Sequence, residues 1–231
     1  MVTDNVTQGI ETARGRVTLR ARVQPAEIDA LEMDQGMGMY TEPYSPPSLE
    51  KKALKRIAVQ DDSDVIVAVD PDRRIVGFIA IGRPAEADRW GRLGPQGLLE
   101  ALAIEVSEDW RGLGIANAMM KVGLADSVFD SKIVMCTGFS WHWDMDGVGV
   151  SKETYRVLLL RYLAKAGFQY FDTDDPNVGL DPANFLTARV GKNVPAQLRR
   201  RFSSMLFEGD IPGERREPRD IAEILAGESA G

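Results

Sequence analysis

The sequence predicts an α/β fold of the α+β type. Short β-branched apolar runs such as "DVIVAVD" and "RIVGFIAIG" are typical of buried strands, and the turn residues between these two runs predict an antiparallel hairpin. Stretches with helical spacing separate other strand-like runs. Together these patterns predict the element order β-α-α-β-β-β-α-β-α-β.

The N-terminal part is expected to hold one strand and two helices. Residues 1–14 are polar without clear periodicity and are expected to form a flexible terminus, so the first strand is assigned to residues 16–23, where charged and apolar or small residues alternate. Pro25 suits an early helical position, and a second helix is expected from Ser48. A loop around residues 40–47, with two adjacent prolines, separates the two helices.

The remaining elements follow in order: the hairpin strands, a strand at "LLEALAIEV", a helix over residues 115–125, a strand at "KIVMCTGF", a helix at "SKETYRVLLLRYLAKAGF" that ends at Gly167, and a strand at "QYFDT". Residues 15–207 are therefore expected to form one domain. Beyond Phe207 the chain is rich in Gly, Pro, Glu and Arg, which predicts a mobile tail over residues 208–231 with one short helix at "RDIAEIL".

Composition narrows the classes of function. The 231 residues carry a formal net charge of −7, which opposes a surface built to follow nucleic acid or anionic lipid. The only cysteine, Cys136, and the only histidine, His142, do not assemble a disulfide or a zinc cluster. No apolar run approaches the roughly 20 residues that span a bilayer, and the N-terminus lacks the features of a signal peptide. A soluble protein of the reducing cytoplasm is expected.

A glycine-rich turn lies within "AIEVSEDWRGLGIANAMM", between a strand pattern and a helix pattern. Gly112 and Gly114 free the backbone of side chains where the helix begins, so several amide N–H groups can point at one anion. Arg111 adds a planar guanidinium that matches phosphate oxygens. An ordinary strand-to-helix loop explains the glycines equally well when they are considered alone.

The pattern Arg-x-x-Gly-x-Ala, met by Arg111, Gly114 and Ala116, resembles the acyl-CoA pyrophosphate loop of the GNAT N-acetyltransferases, and the element order over residues 16–173 agrees with that family. The resemblance implies a mixed, mostly antiparallel sheet that is splayed between its central strands and flanked by helices. It also implies acetyl-CoA as cosubstrate, without a metal ion. The expected contacts to the pantetheine arm and the diphosphate come from Ile104, Glu105, Val106, Arg111, Gly112, Leu113, Gly114, Ile115, Ala116 and Asn117.

Three longer segments, "WHWDMDGVGVSKETYR", "TDDP" and "DPANFLTARVGK", resemble the acetoin-utilisation protein acetyltransferases, a GNAT family that acts on acetyl-CoA synthetase. The resemblance implies transfer of an acetyl group to a lysine in the active site of the synthetase, which silences that enzyme. Two other functions stay open, namely acetylation of a small amine and a non-catalytic protein that responds to acetyl-CoA. The oligomeric state is left open as well.

Glu100 is the first candidate for the general base that takes a proton from the acceptor lysine. Histone-type GNAT enzymes place their base on the strand before the turn, and Glu100 lies six residues before Val106. Strand alternation puts Glu100 on one face with Leu102 and Ile104, whose apolar side chains are expected to raise its pKa. A solvent-facing glutamate is the alternative, and Glu105, on the other face, is the reserve candidate.

The general acid is less well defined by the sequence. Many GNAT enzymes have a tyrosine in the later helix, but the matching position here is Leu163. Tyr155 and Tyr162 are nearby candidates, although a helical tyrosine is equally consistent with core packing. A CoA thiolate can also leave without a dedicated acid.

Substrate contacts are expected after the strand at "KIVMCTGF". Trp141 and Trp143 are candidates to line a channel for the acceptor lysine, with Asp144 or Asp146 attracting its ammonium group or basic neighbours. Core packing explains the two tryptophans about as well. His142 is a candidate proton relay or a hydrogen-bonded structural residue.

Two further charged motifs have no firm assignment. Asp174 and Asp175 precede Pro176 in a predicted turn, and because no further ligands with metal-site spacing accompany them, no metal site is expected. The arginines at 199–201 form a compact basic run. This run is consistent with a solvated helix face, or with contact to the CoA 3′-phosphate or an acidic partner surface.

Overall fold

The computed structural model describes residues 6–37, 47–93, 97–125, 127–209 and 213–228. Two compact units divide the chain: residues 1–82 with 101–126, and residues 83–100 with 127–231. The strands are β1 (Thr7–Thr12), β2 (Gly15–Arg20), β3 (Glu32–Met33), β4 (Asp64–Val69), β5 (Arg74–Gly82), β6 (Leu98–Val106), β7 (Ile133–Gly138), β8 (Gln169–Phe171) and β9 (Phe185–Val190). The helices are α1 (Pro25–Asp29), α2 (Pro47–Ala58), α3 (Ile115–Leu124), α4 (Met145–Val148), α5 (Lys152–Lys165), α6 (Pro176–Gly179), α7 (Ala196–Ser204) and α8 (Ile221–Glu228).

In the first unit, neighbouring strands follow the order β1-β2-β4-β5-β6. Of β6, this unit holds only the C-terminal part. The pairs β1–β2, β2–β4 and β4–β5 are antiparallel, whereas β3 pairs with β5 in parallel. Asp70 closes the β4–β5 hairpin, because its Oδ1 accepts the Arg74 backbone N–H at 2.7 Å. The predicted hairpin is therefore confirmed, and its strands are buried almost throughout.

In the second unit, neighbouring strands follow the order β6-β7-β9-β8. Of β6, this unit holds only the N-terminal part. β6 and β7 are parallel, and their ladder runs from the pair Leu98–Ile133 to the pair Glu100–Met135, whereas β7 itself continues to Gly138. The pairs β7–β9 and β8–β9 are antiparallel. Trp90, Phe171 and Phe202 are among the large side chains of its core.

The sheet pairings are thus mixed and mostly antiparallel, and helices flank the strands, as the sequence predicts. Helix α3 packs against β2, β4 and β5 in the first unit, and α8 packs against α5 and β8 in the second. Among the described residues, no helix combines the length and the apolar character needed to cross a membrane.

The expectation of a flexible N-terminus is wrong for residues 7–12, which form β1 and pair with β2 along their whole length. The side chains of β1 are exposed or half-buried, so the strand is held by backbone hydrogen bonds and leaves little apolar alternation in the sequence. Residues 1–5, and most of the expected loop at residues 40–47, lie outside the described residues.

The expectation of a mobile C-terminal tail is also wrong for residues 213–228. The backbone of Arg219 exchanges hydrogen bonds of 2.8 and 3.0 Å with that of Tyr170, and Ile221 and Ile224 of α8 are buried. Arg156 of α5 donates to the carboxylate of Glu228 at 2.6 Å. Polar composition misled the prediction, because backbone hydrogen bonds, the Arg156–Glu228 ion pair and two buried isoleucines hold this segment. The short helix expected at "RDIAEIL" is present as α8. Residues 210–212 and 229–231 lie outside the described residues.

Candidate functional site

The glycine turn between β6 and α3 has the backbone geometry that its sequence predicts. Gly112 and Gly114 have φ angles of 74° and 79°, in the left-handed region that favours glycine, and a Cβ at either position would meet no atom within 4 Å. Gly114 is the N-cap of α3, whose first turn contains no acidic residue. The Arg111 Nε donates to the Val106 carbonyl at 3.1 Å, which ties the guanidinium to the end of β6. The turn therefore has the open backbone and the cation that suit an anion.

The start of this turn is anchored by contacts that the sequence interpretation missed. The Ser107 N–H donates to the Val76 carbonyl at 2.9 Å, and its hydroxyl donates to Asp34 Oδ1. The Gly36 N–H donates to the same carboxylate oxygen at 3.1 Å, and a Cβ on Gly36 would lie 2.5 Å from the Ser107 hydroxyl oxygen. Long-range contacts of this kind have no local sequence signal. They fix where β6 ends and the turn begins.

Strand β6 presents two different faces. On one face, Leu99, Ala101 and Glu105 are buried; on the other, Leu102 is exposed and Ile104 is half-buried. Glu105, the reserve base, therefore lies on the buried face, 4% exposed. The expected contacts of Ile104 and Val106 with a pantetheine arm stay predictions, and the partly open face is compatible with them.

Glu100 is half-buried on the face of β6 that it shares with Leu102 and Ile104, at the end of the parallel ladder with β7. Its Oε1 accepts a hydrogen bond of 3.0 Å from the Thr137 hydroxyl. Burial raises the pKa of Glu100 from 4.5 to about 7, and the nearby carboxylates of Asp88 and Asp175 act in the same direction, while the Thr137 hydrogen bond opposes them. The direction agrees with the expected rise in pKa, and its first cause is loss of water. A carboxylate with a pKa near neutrality suits proton transfer at physiological pH.

Cys136 lies next to Thr137 on β7 and is buried. Burial, together with the charge of Glu100, raises the pKa of its thiol to about 12. The group is therefore a neutral thiol at physiological pH, and it lacks the thiolate that a cysteine nucleophile requires.

The aromatic residues after β7 form two stacked pairs. Trp141 stacks on Phe139 with ring centroids 4.8 Å apart and an interplanar angle of 7°, and its indole is 52% exposed. Trp143 stacks instead on Tyr155, with centroids 5.4 Å apart, and is half-buried. Only the first of the two tryptophans is thus mainly open to solvent. His142 packs edge-on against Trp141, and partial burial lowers its pKa.

The neighbouring candidate residues have structural contacts. Asp144 is the N-cap of α4 and accepts the Gly147 N–H at 2.9 Å, whereas Asp146 is exposed. Tyr162 is half-buried on α5. Leu163, at the position of the usual GNAT tyrosine, is 1% exposed in the core. The structure places Tyr155 in the aromatic stack, and an acid role for either tyrosine stays a prediction.

The "TDDP" motif is tied to the segment before β6. Asp174 forms an ion pair with Arg89, and Asp175 Oδ2 accepts the Trp90 indole N–H at 2.9 Å. Asp175 also caps α6, which begins at Pro176, so a one-turn helix lies where the sequence predicts a turn. Among the described residues, no group of three or more His, Cys, Asp or Glu side chains is arranged to hold a metal ion.

The basic run lies on α7, where all three arginines are exposed. Arg199 donates to the carbonyls of Val194 and Gly191 at 3.2 and 2.9 Å, so one of the three has a structural role. The solvated helix face considered for this run agrees with its exposure.

Comparison with known proteins yields close relatives, although no family model matches the chain. The acetoin utilization protein AcuA of Bacillus subtilis (strain 168) is 31% identical over 198 residues, which cover 86% of this chain and 92% of the relative. AcuA of Bacillus licheniformis is 28% identical over the same lengths. The crystal structure of an acetoin utilization protein from Exiguobacterium sibiricum 255-15 superimposes with a TM-score of 0.83 at 26% identity, covering 90% of this chain and 97% of the other. The chain therefore belongs to the family of the acetoin utilization protein AcuA, and it shares the fold of the Exiguobacterium sibiricum protein.

Proposed function

We propose that this GNAT-type acyltransferase transfers an acetyl group from acetyl-CoA to a lysine of a protein, and that the acceptor is acetyl-CoA synthetase. The observation that carries the proposal is Glu100, a carboxylate with a pKa of about 7 that is held by Thr137 where the β6–β7 ladder ends. The family resemblance of the "WHWDMDG" and "DPANFLTARVGK" segments supports the choice of acceptor.

Glu100 acts as the general base in this proposal. The Thr137 hydroxyl binds Oε1 and orients the carboxylate, so Oε2 is the natural acceptor for the substrate proton. An ordinary lysine has a pKa near 10.4, and its ammonium group must lose a proton before the nitrogen can attack the thioester carbonyl. The C–N bond forms, the tetrahedral oxyanion collapses, and the C–S bond breaks. The remaining extra proton on the attacking nitrogen passes to the departing CoA sulfur or to solvent, which leaves a neutral amide. Because a thiolate is a good leaving group, Tyr155 and Tyr162 are optional acids.

The turn after β6 binds the diphosphate of acetyl-CoA in this proposal. Backbone amides from Gly112 to Asn117 and the guanidinium of Arg111 provide the donors, and the left-handed glycines keep the approach to the backbone open. The residues from Ile104 to Val106 on β6 pair with the peptide-like pantetheine arm. Glu100 precedes these residues in the sequence of β6.

Mass spectrometry of the acceptor tests the proposed function. Acetyl-CoA synthetase is incubated with acetyl-CoA and this protein, and its intact mass and peptide map are compared with those from a reaction that contains the Glu100→Gln variant. We expect one acetyl group on an active-site lysine, with loss of synthetase activity, and little modification by the variant.

Two results would replace the proposal. An unmodified synthetase alongside efficient acetylation of a polyamine, an aminoglycoside or a free amino acid would establish the small-amine alternative. Inhibition of the synthetase without any acetyl transfer would establish a non-catalytic binding protein.

A further inference from the structure

The segments after β7, at the start of α5 and before β9 combine exposed apolar side chains with carboxylates. The apolar members are Trp141, 52% exposed, Leu180, 71% exposed, and Val148, 37% exposed. The exposed acidic members are Asp146 and Glu153. We call these five residues the acidic aromatic face.

The segments that carry this face are joined by hydrogen bonds and stacking. The Ser140 N–H donates to Asn184 Oδ1 at 2.8 Å, and the Asn184 Nδ2 donates to the Asn177 carbonyl at 2.9 Å. Lys152, at the start of α5, donates to Asp181 Oδ2 at 2.6 Å. Together with the Trp143–Tyr155 stack, these contacts hold the residues after β7, the start of α5 and the segment around Leu180 in one arrangement. The face is therefore preorganised.

Charge on and around the face is predominantly negative. Asp144 and Asp181 accompany Asp146 and Glu153, and Lys152 is the cation among them. A hydrogen bond from its own backbone N–H lowers the pKa of Glu153, and the Lys152 contact lowers that of Asp181, so both are ionised at neutral pH. Such a surface attracts a partner that is apolar at its centre and basic at its border.

The face also lies close along the chain to the proposed base. Thr137, which binds Glu100, is followed two residues later by Phe139, on which Trp141 stacks. A large exposed tryptophan fixed by stacking is typical of the few residues that dominate protein–protein binding energy.

We propose that the acidic aromatic face docks the acceptor protein, through a segment that is apolar at its centre, bordered by Lys or Arg, and bears the lysine to be acetylated. This inference rests on the proposed function and adds to it the surface that selects the protein. Trp141 then contacts the acceptor backbone and side chains around the lysine, and the carboxylates steer its basic border.

Steady-state kinetics with acetyl-CoA synthetase test the docking face. Trp141→Ala and Leu180→Asp are compared with Val59→Asp, a matched change at a residue that is 68% exposed in the other unit. We expect the KM for the synthetase to rise about tenfold in the face variants, with the change in KM rather than kcat, whereas Val59→Asp keeps the parent KM. Trp141→Phe restores part of the loss because it retains an aromatic ring.

Charge reversal provides a second readout. Asp146→Lys is expected to lower kcat/KM for the synthetase, most strongly at low ionic strength, whereas Glu223→Lys on the exposed side of α8 has no such effect. Circular dichroism checks that each variant is folded.

The outcomes separate the two proposals. Acetylation of the synthetase with an unchanged KM in Trp141→Ala and Leu180→Asp would overturn the docking face and leave the proposed function intact. Failure of the unsubstituted protein to bind or acetylate the synthetase would overturn the proposed function and, with it, this partner for the face. Loss of a self-association seen by sedimentation, without any change in KM, would assign the face to a second copy of the chain and also overturn the proposal.

Discussion

At the scale of single residues, the proposed chemistry depends on how one carboxylate is buried and held. Glu100 was a candidate at the sequence level, because the GNAT family that the chain resembles places its base on the strand before the glycine turn. Thr137 was not, since its position beside Glu100 depends on the register of β6 against β7, which pairs Glu100 with Met135. The roles of Trp143 and Asp144 were likewise not predictable from the sequence. The stacking of Trp143 on Tyr155 and the capping of α4 by Asp144 are visible only in the fold.

Thr137→Val tests whether the hydroxyl orients and tunes the base. Because the Thr137 hydrogen bond lowers the pKa of Glu100, its removal is expected to raise that pKa above about 7. A hydrogen bond to a charged group contributes about 1.5 kcal/mol or more, which corresponds to roughly one pH unit. The acid limb of the pH–rate profile for acetyl transfer should shift upward accordingly, and Thr137→Ser should restore it. If Thr137→Val has the same pH–rate profile as the parent, Thr137 does not tune the base and contributes only packing.

At the scale of elements, the strands and helices with strong local patterns were predictable. The β4–β5 hairpin, the β6 strand, α3 and α5 match the sequence prediction closely, because apolar periodicity and turn residues agree there. β1 was missed because backbone pairing holds it, whereas α8 was expected as a short helix but not as a packed one. β9 was missed because its run "FLTARV" is short and was considered only as part of a longer motif.

Gly114→Val tests the turn as an element of the cosubstrate site. The left-handed φ of 79° is strained for a residue with a Cβ, at a cost of about 1–2 kcal/mol, although a Cβ there would meet no atom within 4 Å. We therefore expect a folded protein whose affinity for acetyl-CoA, measured by calorimetry, is greatly weakened. Gly227→Val on α8 is the matched control, since Gly227 also faces open space but has an ordinary φ. Equal affinity in the two variants would remove the turn from the site.

At the scale of the whole molecule, burial of carboxylates links stability to pH. The pKa of Glu100 is raised to about 7 and that of Asp64, in the first unit, to about 6, both chiefly by burial. A folded-state pKa above the unfolded value means that the folded protein binds the proton more tightly. For Glu100, the stabilisation is thus complete below pH about 4.5 and is lost as the pH rises through about 7.

Glu100→Gln is expected to remove the Glu100 part of this dependence. The amide does not titrate, so it does not lose stability as the pH rises. The free energy of unfolding of the variant minus that of the parent should therefore increase by up to about 3 kcal/mol between pH 4.5 and pH 8. Urea unfolding of both proteins across this pH range measures the difference. The contribution of Asp64 to the pH dependence cancels, because both proteins retain that residue. Parallel stability curves would mean that Glu100 ionises freely in the folded state.

The measurement that tests the account most directly is the single-turnover rate of acetyl transfer from acetyl-CoA to acetyl-CoA synthetase as a function of pH, for the parent protein and Glu100→Gln. The parent rate should rise through pH about 7 as Glu100 loses its proton. The variant should bind acetyl-CoA normally but transfer roughly 10²–10⁴-fold more slowly, and should recover partly at high pH, where more of the acceptor lysine is already neutral. Near-parent transfer by Glu100→Gln with the same pH profile would contradict the assignment of Glu100 as the base and direct attention to Glu105 or His142.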